Sequence, residues 1–190
     1  MIDFDKLKDQ NNEAIAWIKV NNTNIEYPVV KTKNNEFYLN HSFDKSENLG
    51  GWIFADCKNK FNGTDKNIVI YGHNMKDNSM FGTMQNILNP EWYNNEENTN
   101  IILKTEGKNY IYKVFSIYRI ENEDYYIKTE FNNDSEFEQF LNTLKARSIR
   151  DFNMDMLESD SILTLSTCDN NNKYRVVLHC LLYTSDAADE

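Results

Sequence analysis

The chain has 190 residues, 40% of them hydrophobic, which suits one domain with a sizeable core. A formal charge of −10 argues against broad nucleic-acid binding. No apolar run approaches the roughly 20 residues that span a bilayer, and no secretory signal pattern is visible. Residues 3–18 read as a short helical entry, capped by Asp3 or Asp5, with Leu7, Ile15 and Ile18 as sparse apolar positions. Residues 21–24 form a turn, and 25–30 and 51–56 read as strands. Residues 67–71 are a short buried strand that Gly72-His73-Asn74 breaks, so His73 stands at a strand-to-loop junction. Residues 75–82 read as an ordered loop or one helical turn, and 84–93 as a helix interrupted at Pro90. Residues 100–105 and 108–118 form a hairpin around Glu106-Gly107, with Tyr110, Tyr112, Val114 and Ser116 alternating. The clearest helix is 135–147, where Ser135 and Glu138 make a capping box. Its stripe of Phe137, Phe140, Leu141 and Leu144 reads as packing rather than as a cofactor box.

The most informative segment is Ile162-Leu163-Thr164-Leu165-Ser166-Thr167-Cys168, a buried strand ending on a cysteine. The polar turn 169–173 follows, and then Tyr174-Arg175-Val176-Val177 opens a second strand. A hairpin here returns Arg175 to Cys168. A guanidinium beside a thiol favours thiolate and can hold an oxyanion, and His73 at another strand end can join them. Taken singly, each residue also has a plain structural reading. Cys168 fits an inert buried thiol, His73 a surface loop histidine, and Arg175 an ion-pair partner of Asp169 or Glu158.

Taken together, these segments resemble the sortases, and within them class B. The resemblance covers almost the whole chain. It runs through Ala16-Trp17-Ile18-Lys19-Val20, Thr23-Asn24-Ile25-Glu26-Tyr27-Pro28-Val29-Val30 and Phe37-Tyr38-Leu39-Asn40-His41. It continues in Tyr71-Gly72-His73-Asn74-Met75 and Ser79-Met80-Phe81-Gly82, and ends on Leu163 to Cys168 with Arg175 seven positions on. The resemblance implies a mainly β fold: an eight-stranded barrel with peripheral helices, one N-terminal and one long helix before the cysteine strand. It implies a cysteine transpeptidase with Cys168, His73 and Arg175 as catalytic residues. Cleavage would follow Thr in a C-terminal sorting signal of NPxTx type, through a thioester, with transfer to a peptidoglycan amine. Ser166, Leu39, Tyr126 and Ile127 are implied to line the substrate groove. The implied partners are surface proteins carrying that signal, at the extracytoplasmic face of a Gram-positive membrane, with the tether in an N-terminal anchor absent from this chain. Release to water by an endopeptidase, or a non-catalytic binding module on the same barrel, remain the alternatives.

No Cys/His spacing suits zinc, no Gly-rich phosphate loop is present, and the chemistry calls for no cofactor. A Cys57–Cys168 disulfide is the structural alternative for both thiols. His41 reads as structural, and His179 shares a face with Arg175 by alternation, without a role. Asp169 opposes thiolate formation at its neighbour. Residues 180–190 depart from the Asn- and Lys-rich style of 1–179 and match one reading frame of a common sequencing adapter. They are expected to be foreign, leaving 1–179 as the catalytic domain, and to pack as a strand only over their first few positions. Without them the chain stays acidic.

Overall fold

Eight strands close into a barrel in the computed structural model, which describes residues 1–121, 123–168 and 173–187. They are β1 (Ala14–Val20), β2 (Glu26–Val30), β3 (Phe54–Ala55), β4 (Asn67–His73), β5 (Asn100–Thr105), β6 (Lys108–Glu121), β7 (Ile162–Cys168) and β8 (Tyr174–Ala187). Around the barrel the order is β1-β2-β3-β4-β7-β8-β6-β5. The pairs β2/β3 and β4/β7 are parallel, and the rest are antiparallel. A parallel pair needs a long crossover. The one from β4 to β7 passes through β5, β6 and the helix Asp134–Arg147.

The N-terminal helix α1 is Phe4–Gln10, capped by Asp3, whose carboxylate accepts from the Lys6 amide. It is shorter than the expected 3–18. From Ala14 the burial alternates strictly, with Ala14, Ala16, Ile18 and Val20 inside, so the period is two and the segment is β1. Between β4 and β5 lie a 3₁₀ turn, Met84–Leu88, and a short helix α2, Pro90–Tyr93. Pro90 thus starts a helix instead of interrupting one, because its missing N–H is unneeded in a first turn. The expected strand over 51–56 reduces to β3. The long helix α3, Asp134–Arg147, is capped two residues earlier than expected. Asn133 accepts from the Glu136 amide at 2.8 Å, and the Glu136 carboxylate accepts from the Asn132 amide at 2.8 Å. Asn133 to Glu136 satisfies the same spacing as Ser135 to Glu138, and Asn caps at least as well as Ser.

Alternation along the strands separates two cores. Ile70, Leu163, Leu165, Val176, Leu178 and Cys180 belong to the barrel core. On the outer face, Phe137, Phe140, Leu141 and Leu144 of α3 cover Phe115, Tyr118, Ile162 and Val177. A third cluster gathers Val69, Tyr71, Tyr38 and Phe54 with Leu39, Ile127 and Cys168.

Strand β8 pairs with β6 as far as Lys108↔Ala187, and Cys180 is fully buried. Residues 180–187 therefore extend the barrel further than the first few positions expected of them. Among the described residues Cys57, Cys168 and Cys180 enter no disulfide, so the Cys57–Cys168 bridge is not formed. Asp169 and the rest of the turn 169–172 lie outside the described residues, as do 188–190.

Candidate active site

Four neighbouring strands carry the site on their outer face. In the parallel β4/β7 ladder His73 stands directly beside Cys168. The antiparallel β7/β8 ladder runs to Ser166↔Val177, and continuing it by two residues sets Cys168 opposite Arg175. Arg175 in turn pairs with Ile120 of β6. One cross-strand row thus reads His73, Cys168, Arg175, Ile120. The three residues joined by sequence reasoning are brought together by register alone.

Gly72 does not break its strand. It pairs with Thr167 inside β4, and a Cβ there would fall 2.5 Å from Ile53 Cδ1 and 2.7 Å from Phe81 Cγ. The missing side chain lets Phe81 pack beneath the residue before His73. The loop after His73 then folds back, with the Met75 and Phe81 amides both donating to the His73 carbonyl, at 3.1 and 2.9 Å.

The His73 ring is nearly buried, and its Nε2 lies 2.6 Å from the Leu39 carbonyl oxygen. A carbonyl only accepts, so Nε2 carries the hydrogen. In neutral His73, Nδ1 is therefore the proton-accepting nitrogen. Leu39 ends the 3₁₀ turn Phe37–Leu39, which is braced by the Trp52 amide donating to the Tyr38 carbonyl at 2.9 Å. Gly51 makes that approach possible. Its φ is +58°, and a Cβ would sit 2.2 Å from the Tyr38 oxygen. Cys168 and Arg175 are half-buried. At the start of β8 the Arg119 guanidinium lies 4.2 Å from the Tyr174 ring centroid, fixing the strand end that carries Arg175.

This arrangement sits within a chain whose relatives are known. The model of the sortase domain matches residues 18–183. The chain belongs to the sortase family, in its class B. It is 34% identical over 186 residues to sortase B of Listeria monocytogenes, covering 95% of this chain and 75% of that protein. It is also 34% identical over 167 residues to sortase B of Staphylococcus aureus, covering 88% and 68%. The solved S. aureus sortase B–substrate complex superposes with a TM-score of 0.88 at 32% identity, covering 95% of this chain and 84% of the other. A mutant form of Clostridium perfringens sortase B gives 0.88 at 36% identity, covering 95% and 86%. Sortases of this class are cysteine transpeptidases that anchor surface proteins.

The expected groove residues divide. Leu39 and Ile127 are partly exposed and share one cluster with Cys168. Ser166 and Tyr126 are buried and bonded to each other at 2.9 Å, so neither presents an open wall. Burial pushes the Tyr126 phenol up, opposed by the Ser166 hydrogen bond and the Arg175 charge. His41 is structural, with Nδ1 2.7 Å from the Phe37 carbonyl and its ring stacked on Phe37.

Sequence reasoning missed Tyr71. It lies two residues before His73 on the same strand face, with its hydroxyl donating to buried Asp56 at 2.7 Å. Burial and that carboxylate push its phenol well up, and it faces Cys168 as a neutral group. The alternation that placed His73 would also have found it. Among the described residues no helix is long and apolar enough to cross a membrane.

Proposed function

We propose that Cys168 is the nucleophile of a transpeptidase acting on an NPxTx-like sorting signal. The cross-strand row His73, Cys168, Arg175 carries this reading. The thiolate sulfur bonds to the Thr carbonyl carbon, and the Arg175 guanidinium receives the charge on the carbonyl oxygen. The peptide C–N bond then breaks as His73 gives a proton to the departing amine, leaving a thioester. A second amine, from a peptidoglycan stem or cross-bridge, loses its proton to His73 and attacks the thioester. A new amide forms and the thiolate departs. The Leu39 carbonyl keeps one proton on Nε2 throughout, so Nδ1 carries the mobile one.

Leu39 and Ile127 beside Cys168 supply apolar walls for an extended peptide, whereas Tyr126 and Ser166 are buried. The substrate complex solved for the S. aureus relative, and a solved sortase B bound to a three-glycine ligand, support a peptide donor and an amine acceptor. The acceptor and the signal-bearing surface proteins place the enzyme at the extracytoplasmic face of a Gram-positive cell.

The test is mass spectrometry of a sorting peptide incubated with the protein and a competing amine. Ligated product is expected. Cleaved acid alone would make the chain an endopeptidase, and the absence of any covalent adduct would make it a binding module.

A further inference from the structure

Below the row that holds Cys168, a line of polar side chains runs diagonally across the same four strands, and the hydrogens in it can be assigned one by one. Asn67 Nδ2 donates to the Lys128 carbonyl at 2.9 Å, which fixes Asn67 Oδ1 as an acceptor. Thr164 donates its single hydroxyl hydrogen to that oxygen at 2.8 Å. The Thr164 oxygen, 2.7 Å from His179 Nδ1, must then accept from the imidazole. Neutral His179 is left with a bare Nε2, which takes the Tyr118 O–H at 2.7 Å. Four hydrogen bonds therefore run one way, from Tyr118 on β6 through β8, β7 and β4 to the Lys128 carbonyl. Asn67, Thr164 and His179 are fully buried. Burial holds the imidazole neutral, its pKa pushed down to about 3.

The transfer chemistry uses none of these groups, yet the chain of bonds ends beside the substrate groove. Lys128 directly follows Ile127. The Tyr126 ring meets the rings of His179 and Tyr118 edge-on, both with centroids 6.3 Å apart. The strands are held by their own ladders, whereas the connection bearing Tyr126 and Ile127 is a 3₁₀ turn, Tyr125–Ile127, and extended backbone. If a link breaks, two buried polar groups lose their partners, and the connection is the element free to move.

We propose that His179, acting with Thr164 and Asn67, is a positioning residue that sets the Tyr126–Ile127 segment against the Cys168 strand and so governs peptide affinity. This rests on the reading of that segment as the groove. Thr164→Val removes the hydroxyl at nearly constant volume, and Thr164→Ser retains it. With a sorting peptide, Thr164→Val raises KM about tenfold or more while kcat changes little, and Thr164→Ser restores KM. Alkylation of Cys168 by iodoacetamide, which needs no groove, keeps its rate and pH profile. An unchanged KM, or an equal loss in kcat and alkylation, overturns the proposal. Tyr118→Phe carries the same expectations should Thr164→Val not fold. Nitrogen-15 spectra of the imidazole should show the neutral Nδ1–H tautomer at pH 6, and the other tautomer or an imidazolium also overturns it. If the wild type cleaves no sorting peptide, the transpeptidase reading falls, and spectra still decide this inference. Tyr126 ring resonances should then shift in Thr164→Val and return in Thr164→Ser, and resonances that stay put overturn it.

Discussion

His73 and His179 stand on the same outer face of the same sheet, on β4 and β8 with only β7 between them, and the barrel makes opposite use of them. His73 sits at a strand end with one ring nitrogen committed to a backbone carbonyl. His179 lies deeper, with both nitrogens committed to side chains and no exposure. The cysteines repeat the contrast. Cys168 is half-buried at a strand end, whereas Cys180 is fully buried in the barrel, where burial pushes its thiol up. At their strand ends His73 and Cys168 keep some exposure, whereas His179 and Cys180 keep none, and burial disfavours every charged form.

The sharpest way to break this comparison is to remove the half-buried thiol. Cys168→Ala should abolish cleavage of a sorting peptide and leave the melting temperature nearly unchanged, since a half-buried sulfur contributes little packing. Wild-type turnover in that variant would move the nucleophile elsewhere. Arg175→Lys should follow, with a loss on the order of 10²–10³ in kcat/KM, because an ammonium does not reproduce the planar fork that meets an oxyanion. Near-normal steady-state rates would remove Arg175 from that role.

The buried histidine should reveal itself in acid. Its native pKa of about 3 lies below the unfolded value of about 6.5, so below pH 6.5 the unfolded chain binds the extra proton. Stability from this group is complete above pH 6.5 and lost as pH falls, about 3 kcal/mol by pH 4. The titratable groups packed against it are Tyr118 and Tyr126, both neutral in acid. Denaturant unfolding across pH 4–7 measures the slope, and His179→Gln should flatten it. An equally steep slope in the variant would show that the carboxylates cause it.

The smallest effect concerns the thiols. In a Cys57→Ser background at neutral pH, iodoacetamide should label Cys168 and spare Cys180 until the protein unfolds. The Cys168 alkylation rate should still be rising with pH above neutrality, as weak coupling to His73 requires. A rate already at its plateau in mild acid would indicate a stable ion pair.

Much of the site could be read from the chain because strand chemistry is local. An apolar run ending in Cys168, a polar turn, and Arg175 at the matching distance already specify a hairpin register. Neighbours in one strand share faces by the pleat alone. The long helix could be read for the same reason, its stripe of Phe137, Phe140, Leu141 and Leu144 being buried as the spacing demands. Elsewhere local signals conflicted. Residues 14–18 follow a helical stretch and are apolar at every position, so no period of two shows in the sequence, and only pairing with β2 and β5 made them a strand. Gly72 carries the local mark of a strand end, and only the arrival of Phe81 shows that its missing side chain serves packing.

The sequence by itself determined which residues can do the chemistry and which face of each strand they occupy, since both follow from side-chain type and a two-residue period. Only the tertiary structure decided which neighbours they meet. The parallel placement of His73 beside Cys168 spans ninety-five positions of chain, the Leu39 carbonyl that sets the His73 tautomer comes from a distant turn, and the burial of His179 depends on α3 and the connection before it. Pairing across such distances depends on barrel closure and desolvation, which no local pattern encodes.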